Sequence, residues 1–263
     1  MTMALVELNG VTKAYYTDRS GRQARVVLKD VSLHIESGEF VCLIGPSGCG
    51  KSVTLNLIAG FERPTLGSLR FKGAEIDGPS PDRGVVFQEY SLLPWLTVKE
   101  NITYALKSRK VPKCERATGA DDALASVGLA EFASQRPNLL SGGMKQRVAI
   151  ARLLAIDSEM FLMDEPFSAL DEQTRSKLDE SLIDLWRKKR KTIVFVTHNI
   201  SEAILLGSRI VLYSGTPGSI VKQWSLADSM PRDMANPEAR ALRDEILQLM
   251  PVTAYADEAC VAQ

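Results

Sequence analysis

Neither sign of charge is in excess in this sequence: 32 lysines and arginines balance 32 aspartates and glutamates over 263 residues. A protein dedicated to DNA or RNA usually carries a basic surplus, so nucleic acid is not the expected partner. Long apolar runs are also missing. The longest, such as Phe40–Ile44 and residues 160–163, have strand length, far short of the roughly 20 residues a helix needs to cross a bilayer. The opening MTMALVELNG has no basic segment followed by an apolar run, so no secretory signal is expected. Cysteine is scarce, and the spacing of Cys42, Cys49, Cys114 and Cys260 suits neither a zinc site nor a small disulfide scaffold. Reduced thiols in a cytosolic protein are the expectation. There is no internal repeat and no low-complexity tract. What remains is an ordinary globular composition, 45% hydrophobic and 24% charged, long enough for one large domain or two small ones.

Within that composition, strand and helix patterns alternate. Up to Ile35 there are short β-rich runs, residues 26–28 and 31–35, and a turn-like Asp18-Arg19-Ser20-Gly21; this predicts antiparallel strands and a hairpin. Phe40–Ile44 is continuously apolar, the pattern of a parallel strand buried on both faces. A glycine-rich loop leads into a helix predicted over Lys51–Ala59 and stopped by Gly60. Gly84-Val85-Val86-Phe87 reads as another buried strand, and residues 91–158 as mainly helical. Strands at 160–163, 192–197 and 209–213 then alternate with helices at 172–189 and 201–206, and Gly215-Thr216-Pro217-Gly218 turns the chain into 219–224. The polar tail after Met230 is helical near residues 239–250. Such alternation predicts an α/β fold with a mostly parallel sheet covered by helices.

The strongest local signal is Gly45-Pro46-Ser47-Gly48-Cys49-Gly50-Lys51-Ser52. It matches G-x-x-x-x-G-K-[ST] and lies between a buried strand and a helix, where a phosphate-binding loop belongs. The glycines let successive N–H groups converge on an anion, and the helix start adds its positive end. Lys51 can reach the β- and γ-phosphates of a nucleoside triphosphate, and Ser52 can offer its hydroxyl to Mg²⁺. Cys49 sits among the same N–H groups, which should favour its thiolate. The loop alone does not separate a kinase, a GTPase, a helicase and a transport ATPase.

Further on, Met160-Phe161-Leu162-Met163 is an apolar strand ending in Asp164-Glu165. A strand fixes a carboxylate rigidly, so Asp164 is a candidate Mg²⁺ ligand. Glu165 is a candidate general base for a water attacking the γ-phosphate. His198 ends another strand and would arrive at the sheet edge where ligands bind in open α/β folds. Gln88, after the 84–87 strand, could aim its amide at the metal or the water. Leu140-Ser141-Gly142-Gly143-Met144-Lys145-Gln146-Arg147 reads as a helix start, with Ser141 as cap and two glycines that admit an anion close to the N–H groups. A second phosphate-binding helix start in one domain suggests binding the ATP of another subunit.

Taken in order, GPSGCGKS, Gln88, LSGGM, MFLMDE, Ser168-Ala169-Leu170-Asp171 and His198 resemble the ABC transporter ATPases over residues from about 5 to 225. The resemblance implies a P-loop NTPase core, an antiparallel β-subdomain and an inserted α-helical subdomain. The ATPase domain would span 1–230, with the helical part at about 91–157, followed by a helical tail over 231–263. It implies ATP and Mg²⁺ as ligands and a head-to-tail dimer. Each ATP would lie between one subunit's loop, including Val53, and the other's Ser141, Gly142 and Gly143, with Asp171 joining the two sites. Tyr15 matches the family's adenine-stacking aromatic, and Tyr16 is the alternative. Ser52, Gln88 and Asp164 would hold the metal; Glu165, His198, Gln88 and Lys51 would act in hydrolysis. The implied partners are a second copy, a transmembrane permease and, indirectly, a solute-binding protein, with the chain peripheral on the cytoplasmic side of the membrane.

The segment from Pro81 to Leu96, Pro166-Phe167-Ser168-Ala169-Leu170-Asp171 and Thr216-Pro217-Gly218-Ser219-Ile220 look like the importer ATPases for nitrate, sulfonates and taurine. Leu92, Leu93 and Trp95 are then either a groove for a short helix of the permease or ordinary core. Val53 stands where many relatives have Thr or Ser, and Asn199 where they often have Asp. A non-transport ABC ATPase of DNA repair or translation is the alternative function, and a small-molecule kinase would leave LSGGM unexplained.

Overall fold

The computed structural model describes residues 4–16, 24–226 and 233–250. The turn expected at 18–21, Cys260 and the last part of the tail lie outside the described residues. Contacts divide the chain into two compact units: the described residues up to Pro79 with those from Leu185 onward, and Ser80–Asp184.

The first unit opens with β1 (Val6–Tyr16) and β2 (Ala24–Ile35), paired antiparallel with Val6 opposite Ile35 and Leu8 opposite Leu33. Val6, Leu8 and Val11 are all buried although Val11 breaks the alternation. Register shifts between Leu8 and Val11 explain this: an extra residue in the strand returns the next apolar side chain to the core face. After β3 (Phe40–Ile44) and α1 (Lys51–Ala59), β4 (Leu66–Phe71) joins β1 and β5 (Ala74–Glu75) joins β4, completing a four-stranded antiparallel sheet.

The second unit holds β6 (Arg83–Val86) and β7 (Met160–Asp164), paired in parallel with Val86 opposite Met163. Between them run α2 (Val98–Ser108), α3 (Lys113–Ser126) and α4 (Gly142–Ile156), the helical insertion. Thr97 and Glu100 form a reciprocal capping box at the start of α2. Gly84 lets α4 approach β6 closely, since a Cβ there would stand 2.3 Å from Leu153. Helix α5 (Glu172–Lys189) follows and buries Leu178, Leu182, Ile183 and Trp186 at helical spacing.

Back in the first unit, β8 (Thr192–Val196) and β9 (Arg209–Ser214) flank β3 in parallel, with α6 (Ile200–Leu206) between them. Antiparallel β10 (Ser219–Ser225) pairs with β9. β3 is paired on both edges and wholly buried, which is why its sequence is apolar without alternation. Phe40 meets Phe195 and Trp186 with ring centroids 5.9 and 6.4 Å apart, and the Trp186 indole N–H donates to the Gly38 carbonyl over 2.7 Å. Helix α7 (Pro237–Leu249) ends the described chain, tied to β10 by Lys222 and Glu245 at 2.5 Å. Among the described residues no helix is long and apolar enough to cross a membrane. The expected architecture of mostly parallel sheet, antiparallel sheet and helical insertion is the one observed.

Candidate functional site

In the first unit the sequence Gly45 to Ser52 curls between β3 and α1. Gly45 has φ 145° and a Cβ there would stand 2.2 Å from the Tyr213 carbonyl; Gly50 has φ 93° and would meet Leu28 at 2.3 Å. Both positions therefore require glycine. Gly50 is also the N-cap of α1 with no side-chain cap bond, so no capping side chain of its own blocks an anion from the helix start. Lys51 is buried, and its ammonium donates to the carbonyls of Gly45 at 2.7 Å and Pro46 at 2.9 Å. Ser47, Gly48 and Ser52 are exposed, whereas Pro46 and Val53 are half-buried.

Cys49 departs from expectation. Its side chain is buried, with Lys51 Nζ 3.8 Å from Sγ. Burial pushes the thiol up, outweighing Lys51 and the N–H groups that pull it down. The thiolate is therefore not favoured: desolvation of the sulfur exceeds the attraction of the loop. Gly218 contributes to the enclosure, since a Cβ there would stand 1.8 Å from the Cys49 carbonyl. The Thr216-Pro217-Gly218 turn thus packs directly on the phosphate loop.

Tyr15 is 37% exposed near the end of β1, and Tyr16 is 63% exposed. The Tyr15 hydroxyl donates to Glu62, Lys13 pairs with Glu62 at 3.1 Å, and the Lys13 ammonium lies 4.9 Å from the Tyr15 ring centroid. Burial and then Glu62 raise the phenol above its ordinary value. The ring is thus braced by two charged neighbours that sequence reading did not single out. His198 follows β8 and is exposed. Beside it Asn199 caps α6, accepting from the Glu202 N–H at 3.1 Å; the amide does the capping work an aspartate would do.

In the second unit several expected residues come together. Gln88 donates to the Glu165 carboxylate at 3.4 Å. Asp164 ends β7 half-buried, and Glu165 takes a left-handed backbone at φ 45°. Ser168 fixes that turn, its N–H and hydroxyl both donating to the Glu165 carbonyl at 3.3 and 3.0 Å. Ser141 caps α4, accepting from the Met144 N–H at 3.3 Å. A Cβ on Gly142 would stand 3.0 Å from the Tyr90 hydroxyl, and one on Gly143 3.1 Å from Leu170. The segment of Ser141 therefore lies close to both Tyr90 and Ala169-Leu170. Asp171 accepts from the Thr174 N–H at 2.9 Å; that bond, with a smaller contribution from Arg147, holds its carboxyl below the usual range.

Trp95 is 66% exposed and Leu92 and Leu93 are half-buried, so Trp95 is not core. Asn101, buried on α2, accepts from the Leu93 N–H at 2.8 Å and donates to carbonyls of Leu93, Leu96 and Thr97. Sequence reading missed Asn101 and Glu62; Gly218 appeared only as part of a turn, with no link to Cys49.

A glycine-rich loop between β3 and α1, with a separate serine-capped glycine helix start, is the arrangement expected of an ATP-binding cassette. The ABC transporter family profile matches residues 28–168. The chain is 45% identical over 222 residues to the nitrate import ATP-binding protein NrtD of Synechocystis sp., covering 84% of this chain and 83% of that protein. It is 45% identical over 233 residues to the taurine import ATP-binding protein TauB of Chromobacterium violaceum, covering 86% and 89%. The bicarbonate transport ATP-binding protein CmpD of Synechocystis sp. is 42% identical over 256 residues, covering 95% and 90%. Among solved structures, the cassette MJ0796, in a dimeric post-hydrolysis state bound to ADP and Pi, matches with TM-score 0.76 and 36% identity, covering 85% of this chain and all of that one. The chain belongs to the ABC transporter family. Within that family it is an ATPase cassette, binding and hydrolysing ATP for transport.

Proposed function

We propose that this chain is the ATPase subunit of an importer for nitrate, taurine, bicarbonate or a related small solute. It works in two copies on the cytoplasmic side of the membrane, against a separate permease fed by a solute-binding protein. The observation that carries this reading is identity of 42–45% along most of the chain to ATPases named for nitrate, taurine and bicarbonate transport. The dimeric state of the related cassette supports the second copy.

In this reading the backbone N–H groups of the loop from Gly45 to Ser52, Pro46 having none, and the Lys51 ammonium bind the phosphates, with Val53 adding a backbone N–H. The loop suits an anion: its lysine already donates to two carbonyls of the same loop and can exchange them for phosphate oxygens. Tyr15 stacks on the adenine, a contact worth on the order of 1–3 kcal/mol. The Ser52 hydroxyl, the Gln88 amide oxygen and the Asp164 carboxylate are hard oxygen donors that fit Mg²⁺. That ion, when bound, offsets charge on the phosphates. Glu165 takes the proton of the attacking water, and His198 contacts the γ-phosphate. Ser141, Gly142 and Gly143 grip the ATP of the second copy, and Asp171 joins the two sites. ATP then favours the closed dimer by supplying charge that both copies bind, and phosphate release reverses it.

The test is uptake of labelled nitrate, taurine and bicarbonate by cells lacking the gene, alongside mass spectrometry of proteins co-purifying with the tagged chain. Loss of uptake of one solute and recovery of a permease are expected. Recovery with ribosomes or DNA-repair proteins, and unchanged uptake, would reject importer function.

A further inference from the structure

Helix α4 carries the serine-capped phosphate-binding start at one end and Arg152 three turns further along. The Arg152 guanidinium donates from one nitrogen to the Ser91 carbonyl at 2.7 Å and from the other to the Tyr90 carbonyl at 3.3 Å. The residue is part-buried, and burial pulls its guanidinium below the ordinary arginine value. Two neighbouring carbonyls held by one planar fork make a rigid joint that a lysine, with a single point charge, cannot reproduce. The joint also meets a strained turn: Ser91 has a left-handed backbone at φ 45°, and its hydroxyl donates back to the Glu89 carbonyl at 3.0 Å.

This short stretch touches both chemical elements of the second unit. Two residues upstream of Tyr90, Gln88 donates to Glu165 at 3.4 Å. The Tyr90 hydroxyl lies 3.0 Å from where a Cβ of Gly142 would stand. Downstream, the stretch leads to the exposed Trp95, and there Asn101 ties residues 93–97 to α2 instead. Arg152 thus hydrogen-bonds the backbone of this loop to the helix that presents Ser141.

We propose that Arg152 is a positioning residue for ATP hydrolysis, clamping Tyr90 and Ser91 to α4 so that Gln88, Glu165 and the Ser141 helix start move as one body. The proposal rests on the ATPase reading above. Loss of the clamp frees the Tyr90 and Ser91 carbonyls from α4, so Gln88 loses its fixed approach to Glu165 while the phosphate loop is untouched.

The test uses the full-length protein with Arg152→Met and Arg152→Lys. Three readouts are taken: steady-state kcat and KM for ATP, affinity for a fluorescent ATP analogue, and amide hydrogen exchange. Arg152→Met should lower kcat about tenfold, as expected for losing charge-assisted hydrogen bonds. KM and analogue affinity should stay within about twofold, with faster exchange confined to residues 88–93. Arg152→Lys, which can keep one bond, should fall between wild type and Met; if Met does not fold, Lys carries the test with a smaller kcat loss and the same local exchange. Wild-type kcat and exchange in both variants would overturn the proposal. So would a loss of activity matched by faster exchange throughout α4 and β6, which is the mark of a purely structural arginine. If the wild-type protein hydrolyses no ATP, the ATPase reading itself fails; if it does and the variants match it, only the clamp fails.

Discussion

The hydroxyl of Ser168 donates to the carbonyl of Glu165 over 3.0 Å, pinning a carboxylate-bearing residue whose backbone is left-handed at φ 45°. A non-glycine residue in that region costs about 1–2 kcal/mol. The left-handed residue turns the chain directly after β7. Such strain persists where surrounding bonds over-determine it, and here Ser168 supplies two of them, through its N–H and its hydroxyl.

Ser168→Ala removes the hydroxyl bond and keeps the N–H bond. The expected loss of stability is about 0.5–1.5 kcal/mol, read by urea denaturation. A larger fall in kcat than in stability would show that the Glu165 turn, not just the fold, has loosened.

Glu165→Gln keeps the shape and removes the basic oxygen. ATP binding should be retained and turnover slowed by about 10²–10⁴, with an ATP-bound dimer accumulating on size-exclusion chromatography. Wild-type turnover in this variant would remove Glu165 from the role of base.

Lys51→Ala deletes the ammonium that now bonds the Gly45 and Pro46 carbonyls. Titration with a fluorescent nucleotide should show tight ATP binding abolished. An unchanged Kd would count against the phosphate-loop assignment.

Asn199 caps α6 through the Glu202 N–H. Asn199→Ala should cost about 1 kcal/mol, whereas Asn199→Asp should be nearly neutral. Thermal melts of the two variants decide this, and equal melting points would show that the cap contributes nothing.

Cys49 is buried with its thiol raised, while Cys114 is exposed. A raised value means the neutral thiol persists to higher pH than in the unfolded chain, so little thiolate exists near neutrality. Iodoacetamide at pH 7.5 should label Cys114 quickly and Cys49 slowly until the protein is denatured, as site-resolved mass spectrometry will show. Rapid labelling of Cys49 in the native state would contradict the burial argument. ATP should change the labelling rate of Cys49 little, because the fold already shields the sulfur.

The features visible in sequence are those built from consecutive residues. The helix Lys51–Ala59 and its Gly60 stop are local: Gly60 sits at φ 85° and donates to the Asn56 and Leu57 carbonyls. The buried strands Phe40–Ile44 and Thr192–Val196 are apolar throughout because both faces are covered. By contrast, strand Leu66–Phe71 passed unnoticed. Gly67 interrupts it, its first two residues are exposed, and its partner β1 supplies the pairing from far away in the chain.

The sequence by itself determined the glycine-rich loop from Gly45 to Ser52, the strand-end carboxylates Asp164 and Glu165, the capped start at Ser141 and the alternation of strands and helices around them. Each depends on bonds between near neighbours, which residue type and spacing already specify. Only the tertiary structure decided that Arg152 grips Ser91 across 61 residues, that the Tyr90 hydroxyl lies close to Gly142 and that burial raises the Cys49 thiol. Those outcomes depend on which distant groups exclude water or supply a hydrogen bond, and burial is a sum over the whole packed surroundings that no short window of sequence contains.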